Sequence, residues 1–257
     1  MSVPLPDWCT LVRCDNPSPM TLDGTNTYVL RAAGASGSVV VDPGPRHEDH
    51  LQRVAALGKV ALVLLTHGHP DHAEGAHVFQ EMTGAPMAAV LPRLSTGAQP
   101  LRPGARFAGV AGLDVEVVAT PGHTSDSVSF LVPGEAPALL TGDTILGRGT
   151  TVVAHPDGRL GPYLDSLVRI RDLAVDERSP LLLLPGHGPV GPDAAASAAA
   201  YLEHRAQRLD QVRAARAAGD RSAREVVRRV YVDVDPSLWP AAERSVLAQL
   251  DYLKSHP

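Results

Sequence analysis

The 257-residue sequence predicts an α/β layered fold, in which sheets are covered by helices. Strand-like and helix-like segments alternate along residues 25–192. Several strand-like segments are apolar throughout, which is typical of strands buried on both faces. Aromatic residues make up only 4% of the chain, so alanine, valine and leucine must fill the core.

The individual elements follow from apolar periodicity and from glycine and proline breaks. Strands are predicted at 25–32, 37–44, 59–67, 85–91, 113–123, 127–134, 136–143 and 179–188. Helices are predicted at 47–58, 72–84 and 161–174, and after Pro192 at 194–219, 222–232 and 243–256. We therefore predict a main domain over residues 1–199 and a helical C-terminal unit over 200–257.

Composition restricts the class of protein. The formal net charge of −5 does not indicate a nucleic-acid binder. Two cysteines, Cys9 and Cys14, are too few for a disulfide framework and are expected as free thiols. The N-terminal segment lacks the features of a signal peptide, and no apolar run approaches 18 residues. A cytoplasmic protein without a membrane partner or an obligate protein partner is expected.

The segment THGHPDH carries the strongest chemical signal. It follows a predicted apolar strand and opens the next helix. His67 and His69 are two residues apart on backbone expected to be extended, so both side chains should point to one side. Asp71 and His72 follow in the turn. Three imidazoles and a carboxylate in one loop suit zinc, and also iron or manganese.

Three further motifs each place one ligand-type side chain after a predicted strand. TPGHT contains His123, TGDT contains Asp143, and PGHGP contains His187. The neighbouring glycines allow close backbone approach and let the side chain turn into a site. Because all three follow buried strands, we expect them to meet the THGHPDH loop.

The seven side chains divide into two predicted metal sites that share one carboxylate. The first site is His67, His69 and His123. The second site is Asp71, His72 and His187, and Asp143 bridges the two. Each metal keeps an open position, as a catalytic site requires. The expected cofactors are two divalent metal ions, with zinc as the predicted metal.

This arrangement predicts hydrolysis. A bound metal lowers the pKa of its water from about 15.7 to about 7, so no serine or cysteine nucleophile is needed. The resulting hydroxide would attack a carbonyl carbon or a phosphorus, and the second metal would stabilise the developing negative charge. Asp71 and His187 are the predicted catalytic residues, with Asp71 orienting the hydroxide.

The motifs THGHPDH, TPGHT, TGD and PGHGP resemble the motif series of the metallo-β-lactamase superfamily over residues 20–200. This resemblance implies an αββα sandwich. GTNTYVL, VVDPG, TGDTILGRGTTV, LLPGHGPV, YLEHR and the helical tail resemble more specifically the β-lactamase-like-protein-2 group. Members of that group are described as metal-dependent endoribonucleases of single-stranded RNA, with a winged-helix-like tail beside the active site.

The resemblance also implies roles for residues that are not metal ligands. Asn26 and Thr27 would lie on a strand that lines the site, although Asn26 is equally typical of a turn. Asp42 resembles a residue that hydrogen-bonds a ligand histidine, the alternative being a cap at the end of its strand. Thr144 and the ILGRGTT segment after it would border the substrate mouth.

The helical tail is basic. His204 and Arg205 at its start are predicted to reach a substrate phosphate. Residues 204–229 hold eight arginines and have a net charge of +5, which suits an RNA backbone but is also typical of a solvated helix face. The histidines outside all motifs are expected on the surface: His47, His50, His77 and His155.

Several functions are compatible with these residues. The leading prediction is a phosphodiesterase that cleaves single-stranded RNA. The alternative is hydrolysis of a small acyl thioester, as in the neighbouring glyoxalase-II-like group, which needs no basic surface. A mononuclear-iron persulfide dioxygenase is a third possibility. A diiron flavoprotein is disfavoured because His69 stands where those relatives have glutamate, and open coordination disfavours a non-catalytic nucleic-acid-binding module.

Overall fold

The computed structural model describes residues 3–173 and 180–256, which form two five-stranded sheets and seven α-helices within those ranges. The first sheet has the order β1-β2-β3-β4-β5: Cys9–Arg13, Asn26–Leu30, Ser38–Val41, Val60–Leu64 and Met87–Ala88. The second sheet holds β6 to β10: Arg106–Val110, Leu113–Ala119, Val128–Val132, Ala138–Gly142 and Leu182–Pro185. Its order is β10-β9-β8-β7-β6.

Helices cover the outer faces of the two sheets, and further helices form the C-terminal part. Those of the main body are α1 to α4: Glu48–Ala55, Pro70–Ala73, Ala76–Thr83 and Leu160–Arg171. Those of the C-terminal part are α5 to α7: Ala194–Ala217, Ala223–Val230 and Trp239–Ser255. The predicted αββα sandwich with a helical C-terminal unit is confirmed.

Three apolar layers explain why the strands read as continuous apolar runs. Val39 and Val41 of β3 point into the core between the sheets, whereas Val40 between them points to the layer under α1 and α3. On the second sheet, Phe130 of β8 faces the inter-sheet core and Leu131 faces α4 and α5. Both faces of β3 and β8 are buried, so apolar residues occupy most of their positions.

Two of the four edge strands, β1 and β6, were not predicted from the sequence. Both are partly exposed, and their sequences CTLVR and RFAGV lack a continuous apolar run. The predicted helix 72–84 is split at Gly75, whose backbone N–H donates to the Gly44 carbonyl instead of a carbonyl of the preceding turn. The predicted helix 161–174 and the predicted strand 179–188 each include one residue, 174 and 179 respectively, that lies outside the described residues.

The C-terminal helices enclose a small apolar cluster of their own: Val212, Ala215, Val226, Val227, Ala242 and Val246. A capping box between Ser222 and Glu225 starts α6. The predicted domain boundary between residues 199 and 200 falls inside α5 and stays a prediction. Across residues 3–173 and 180–256, no helix combines the length and the apolar character that crossing a bilayer requires.

The prediction for His50 was wrong, because this side chain is fully buried. Thr27 Oγ1 donates to the Asp42 carbonyl at 2.7 Å and lies 2.8 Å from His50 Nε2. The hydroxyl proton is thus used, so His50 Nε2–H is the donor to Thr27 Oγ1. Burial, followed by the charge of Arg53, lowers the pKa of His50 to about 4.

We predict that His50 makes the metal-free protein sensitive to acid. The unfolded chain takes up this proton near pH 6.5 and the folded chain only near pH 4. The contribution of His50 to the free energy of unfolding is therefore fully present above pH 6.5 and is lost as the pH falls towards 4, by no more than about 3 kcal/mol. Urea unfolding from pH 7 to pH 4.5 should show a shallower loss for His50→Gln. Parallel pH profiles of the two proteins would contradict the assignment.

Candidate metal centre

Four loops at one end of the sandwich carry the predicted ligands. The THGHPDH loop follows β4, His123 lies in the turn between β7 and β8, and Asp143 and His187 follow β9 and β10. The structure brings all seven side chains together in two groups, within each of which the ligand atoms lie within 4.8 Å of one another. The groups are His67, His69, His123 and Asp143, and Asp71, His72, Asp143 and His187.

The first group is built around His69. Its Nδ1 lies 3.1 Å from His67 Nε2 and 3.1 Å from His123 Nε2. Asp143 Oδ2 completes the group at 3.6 Å from His123 Nε2. Three nitrogen atoms and one oxygen atom thus face a common point.

The second group uses the other oxygen of Asp143. Oδ1 of Asp143 is 3.3 Å from the Nε2 atoms of both His72 and His187. Asp71 Oδ2 lies 3.0 Å from His187 Nε2 and 3.5 Å from His72 Nε2. Asp143 is therefore placed to contribute one oxygen to each group.

Hydrogen bonds on the outer side fix the direction of four of the five imidazoles. The Nδ1 atom of His72 lies 2.8 Å from Asp42 Oδ2, and that of His123 lies 2.8 Å from the Val152 carbonyl. His187 Nδ1 lies 3.2 Å from the Gly24 carbonyl. His67 Nδ1 lies 3.1 Å from the hydroxyl of Thr66, the adjoining residue. Each Nδ1 thus acts as donor, which leaves Nε2 with a free lone pair for a metal.

Asp42 holds the THGHPDH loop in place through hydrogen bonds to two of its residues. Its carboxylate accepts from the backbone N–H of Thr66 at 2.8 Å and from the Thr66 hydroxyl at 2.7 Å, in addition to His72. The backbone of Asp42 is left-handed, with φ of 51°, a conformation rare for non-glycine residues. The three contacts hold the carboxylate in the orientation that His72 needs.

The charges within the cluster are strongly coupled. Burial would raise the pKa of Asp143, but His72 and His187 outweigh it and hold that pKa well below its usual value. Burial opposes charge on His187 too, yet Asp143 raises the pKa of His187 to about 9. Burial, together with the neighbouring His72, holds the pKa of His67 well below its usual value. Imidazoles of one cluster are thus pushed in opposite directions.

The donor set fits divalent cations. Asp143 Oδ1 is buried without a hydrogen-bond partner among the described residues. The Nε2 atoms of His72 and His187 are 3.2 Å apart, and neutral rings would face each other with lone pairs because both Nδ1 atoms are donors. A cation between these atoms satisfies all three. Imidazole and carboxylate ligands suit zinc and also other first-row metals.

Asn26 and Thr27 support the centre and are buried on β2. The Asn26 amide donates to the carbonyls of Pro185 and Gly188 at 2.9 Å each, on both sides of His187. Thr27 donates to the Asp42 carbonyl. Both residues hold the backbone of loops that carry or orient ligands, and neither is exposed for substrate.

Three predicted substrate contacts lie elsewhere. Thr144 is buried, and its carbonyl accepts from the Tyr163 hydroxyl at 2.7 Å, so it does not border the mouth. Arg205 is 4% exposed and donates to the Thr151 carbonyl, so it does not reach a substrate phosphate. His204 is half-buried on α5, and burial lowers its pKa.

The opening above the centre is a cavity of about 540 Å³ that contacts His69 and His123. Seven of its twelve lining residues are apolar, so the mouth suits an apolar group: Pro19, Met20, Val152, Ala154, Leu238, Pro240 and Ala241. Ser18, Ser237 and Arg244 complete the lining. Sequence reasoning missed this wall, because it combines three segments that carry no recognisable motif.

Comparisons with known proteins cover nearly the whole chain. A family model described as the metallo-beta-lactamase superfamily matches residues 20–187, and one described as a beta-lactamase associated winged helix domain matches residues 222–256. A beta-lactamase-like protein 2 homolog of Drosophila melanogaster is 35% identical over 93% of this chain and 85% of that protein. An atrochrysone carboxyl ACP thioesterase of Aspergillus fumigatus is 37% identical over 68% of this chain and 54% of that protein.

Solved structures show the same fold. A metallo-beta-lactamase family protein from Thermus thermophilus superposes with a TM-score of 0.78 at 23% identity, over 97% of this chain and 94% of that chain. A beta-lactamase domain protein from Burkholderia ambifaria gives 0.81 at 22% identity, over 99% and 88%. The whole described architecture therefore recurs in these proteins, C-terminal helices included.

We predict that Asp143→Ala loses most of the metal from both groups, because each group depends on one of its oxygens. Metal per chain after exhaustive dialysis, measured by mass spectrometry, tests this. The control is Asp165→Ala, which removes an exposed carboxylate on α4 outside both groups. Wild-type metal content in Asp143→Ala would show that this carboxylate is not the shared ligand.

Proposed function

This chain belongs to the metallo-β-lactamase superfamily of hydrolases, and we propose that it cleaves acyl thioesters at two zinc ions. His67, His69 and His123 would hold one ion, Asp71, His72 and His187 the other, with Asp143 shared. When bound, such ions lower the pKa of a water molecule and polarise the substrate carbonyl.

The protein side of the reaction rests on orientation and proton handling. Asp71 is the most exposed carboxylate of the centre, with 26% of its side chain accessible. It is therefore placed to accept a hydrogen bond from the attacking water and to direct the water towards the substrate. Its Oδ2 lies 3.0 Å from Nε2 of His187, so both residues would stand at the same ion beside the attacking water, and we assign both as catalytic.

The apolar mouth is the observation that favours a thioester. An acyl chain gains free energy when it leaves water for a surface such as Met20, Val152 and Leu238. Among the described residues that line the cavity there is no phenylalanine, tyrosine or tryptophan on which a nucleobase could stack. The thioesterase relative is 37% identical to this chain over the 184 matched residues, which are 54% of its own length, and this likeness also supports the substrate class.

Arg244 suggests how the acyl carrier is recognised. It is exposed on α7 and is the one arginine or lysine among the described lining residues of the cavity. A phosphate at the far end of a phosphopantetheine arm would pair with this guanidinium while the acyl carbonyl lies at the metals. The proposed substrates are acyl thioesters on a carrier that bears a phosphate.

The second candidate is cleavage of single-stranded RNA, which the resemblance to the β-lactamase-like-protein-2 group implies. The Drosophila relative of that name matches this chain over 85% of its own length, which favours a shared activity. The basic tail gives less support than its sequence indicates. Arg205 is buried, while Arg213 and Arg229 pair with Asp210 and Asp220.

The cytoplasmic location stays a prediction.

A substrate panel separates the candidates. Metal-loaded protein should hydrolyse phosphopantetheine-linked acyl thioesters, and Asp143→Ala should reduce turnover to background. Cleavage of single-stranded RNA without thioester hydrolysis would reverse the order of the two candidates. About two zinc ions per chain are expected, whereas one iron per chain with oxygen-dependent turnover would point to the dioxygenase.

Arg244→Gln should raise KM about tenfold for a phosphate-bearing thioester and leave kcat unchanged, because the lost contact is one charge-assisted hydrogen bond. KM for a neutral thioester of the same acyl chain should not change. Arg224→Gln is the matched control, since Arg224 is exposed on the same helical unit but does not line the cavity. An equal rise in KM for both thioesters would refute phosphate recognition.

A further inference from the structure

Two side chains on one face of α5 hold the loop 145–152, which returns to the metal centre. The Tyr201 hydroxyl accepts from the backbone N–H of Leu146 at 3.0 Å and donates to the Gly149 carbonyl at 2.9 Å. One helical turn later, Arg205 donates through Nη2 to the Thr151 carbonyl. The i, i+4 spacing places both on the same side of the helix.

The loop passes this restraint directly to His123. The Val152 carbonyl, one residue beyond the Arg205 contact, accepts from His123 Nδ1 at 2.8 Å. Thr151 adds its hydroxyl at 3.2 Å from the same nitrogen. The direction of His123 Nε2 towards the first group therefore depends on where residues 151 and 152 lie.

Arg205 also reaches the neighbourhood of Asp143. Its guanidinium lies 5.1 Å from the centre of the Tyr163 ring, over its face. The Tyr163 hydroxyl donates to the Thr144 carbonyl at 2.7 Å, next to Asp143 in the chain. One buried guanidinium thus contacts two chains of interactions, of which one ends at His123 and the other at the backbone of Thr144, the residue after Asp143.

The burial of Arg205 needs a reason. The side chain is 4% exposed, and its Nε has no hydrogen-bond partner among the described residues. Within residues 3–173 and 180–256 no carboxylate forms an ion pair with this guanidinium, although burying a charge is costly unless it is paired. A solvated helix face would not require this arrangement, whereas a restraint on the loop does.

We propose that Tyr201 and Arg205 are positioning residues that fix His123 and Asp143 for metal binding through the loop 145–152 and Tyr163. The helix that leads into the C-terminal unit thereby sets the affinity of the centre. This inference rests on the proposed metal binding but not on the identity of the substrate.

Metal affinity tests the proposal without reference to catalysis. Arg205→Met should weaken cobalt or zinc binding by about 10- to 100-fold in competition with a chromophoric chelator, the usual effect of losing a residue that orients a ligand. The absorption spectrum of the cobalt form should also change, since the geometry at His123 changes. Arg205→Lys keeps a donor for Thr151 and should recover part of the affinity.

Two further variants make the result decisive. Tyr201→Phe removes only one hydroxyl and should lower the affinity even if Arg205→Met fails to fold. Arg208→Met is the control, because Arg208 lies 4.3 Å from the centre of the Tyr231 ring and donates to the Val230 carbonyl, away from the loop. Wild-type affinity in folded Arg205→Met and Tyr201→Phe, or an equal loss in Arg208→Met, overturns the proposal. If the wild-type protein binds metal but does not hydrolyse thioesters, only the proposed function is challenged.

Discussion

The structure depends on bringing five imidazoles and two carboxylates to one buried point. Such a concentration of donor atoms is unfavourable unless cations or protons lie between them, since neutral rings of His72 and His187 would turn lone pairs towards each other at 3.2 Å. The fold therefore supplies restraints from behind: Asp42, Val152, Gly24 and Thr66 each engage one Nδ1. These outer contacts fix the direction of the inner nitrogens before any ion is present.

Much of this arrangement was predictable from the sequence because each ligand lies in a short motif after a strand. The carboxyl ends of neighbouring strands meet at one edge of a sheet, so local motifs sufficed to group distant residues. The hairpin of β8 and β9 was also predictable, since its turn separates two apolar runs. The edge strands β1 and β6 were not, because half-exposed strands lose the apolar pattern that identifies buried ones.

The wrong predictions for Arg205 and His50 have a different cause from the missed strands. Arg205 and His50 are charged or titratable residues that residue type alone assigns to the surface. Position 50 lies on the face of α1 that also carries Leu51 and Val54, so helical spacing held a signal that residue type concealed. For Arg205 the partner lies 54 residues away in a loop without a motif. Only the three-dimensional contacts show that its charge serves the interior.

The C-terminal unit forms part of the mouth of the metal centre, and the helix that leads into this unit contacts a loop that orients a metal ligand. Residues of the C-terminal unit, Leu238 and Arg244 among them, form one wall of the mouth and so influence which substrate enters. Tyr201 and Arg205, on the preceding helix, contact the loop behind His123. Substitution in the wall can change selectivity while the ligands stay fixed, whereas substitution in the buried face acts on metal binding for every substrate. The two surfaces can accordingly diverge independently among proteins with the same seven ligands.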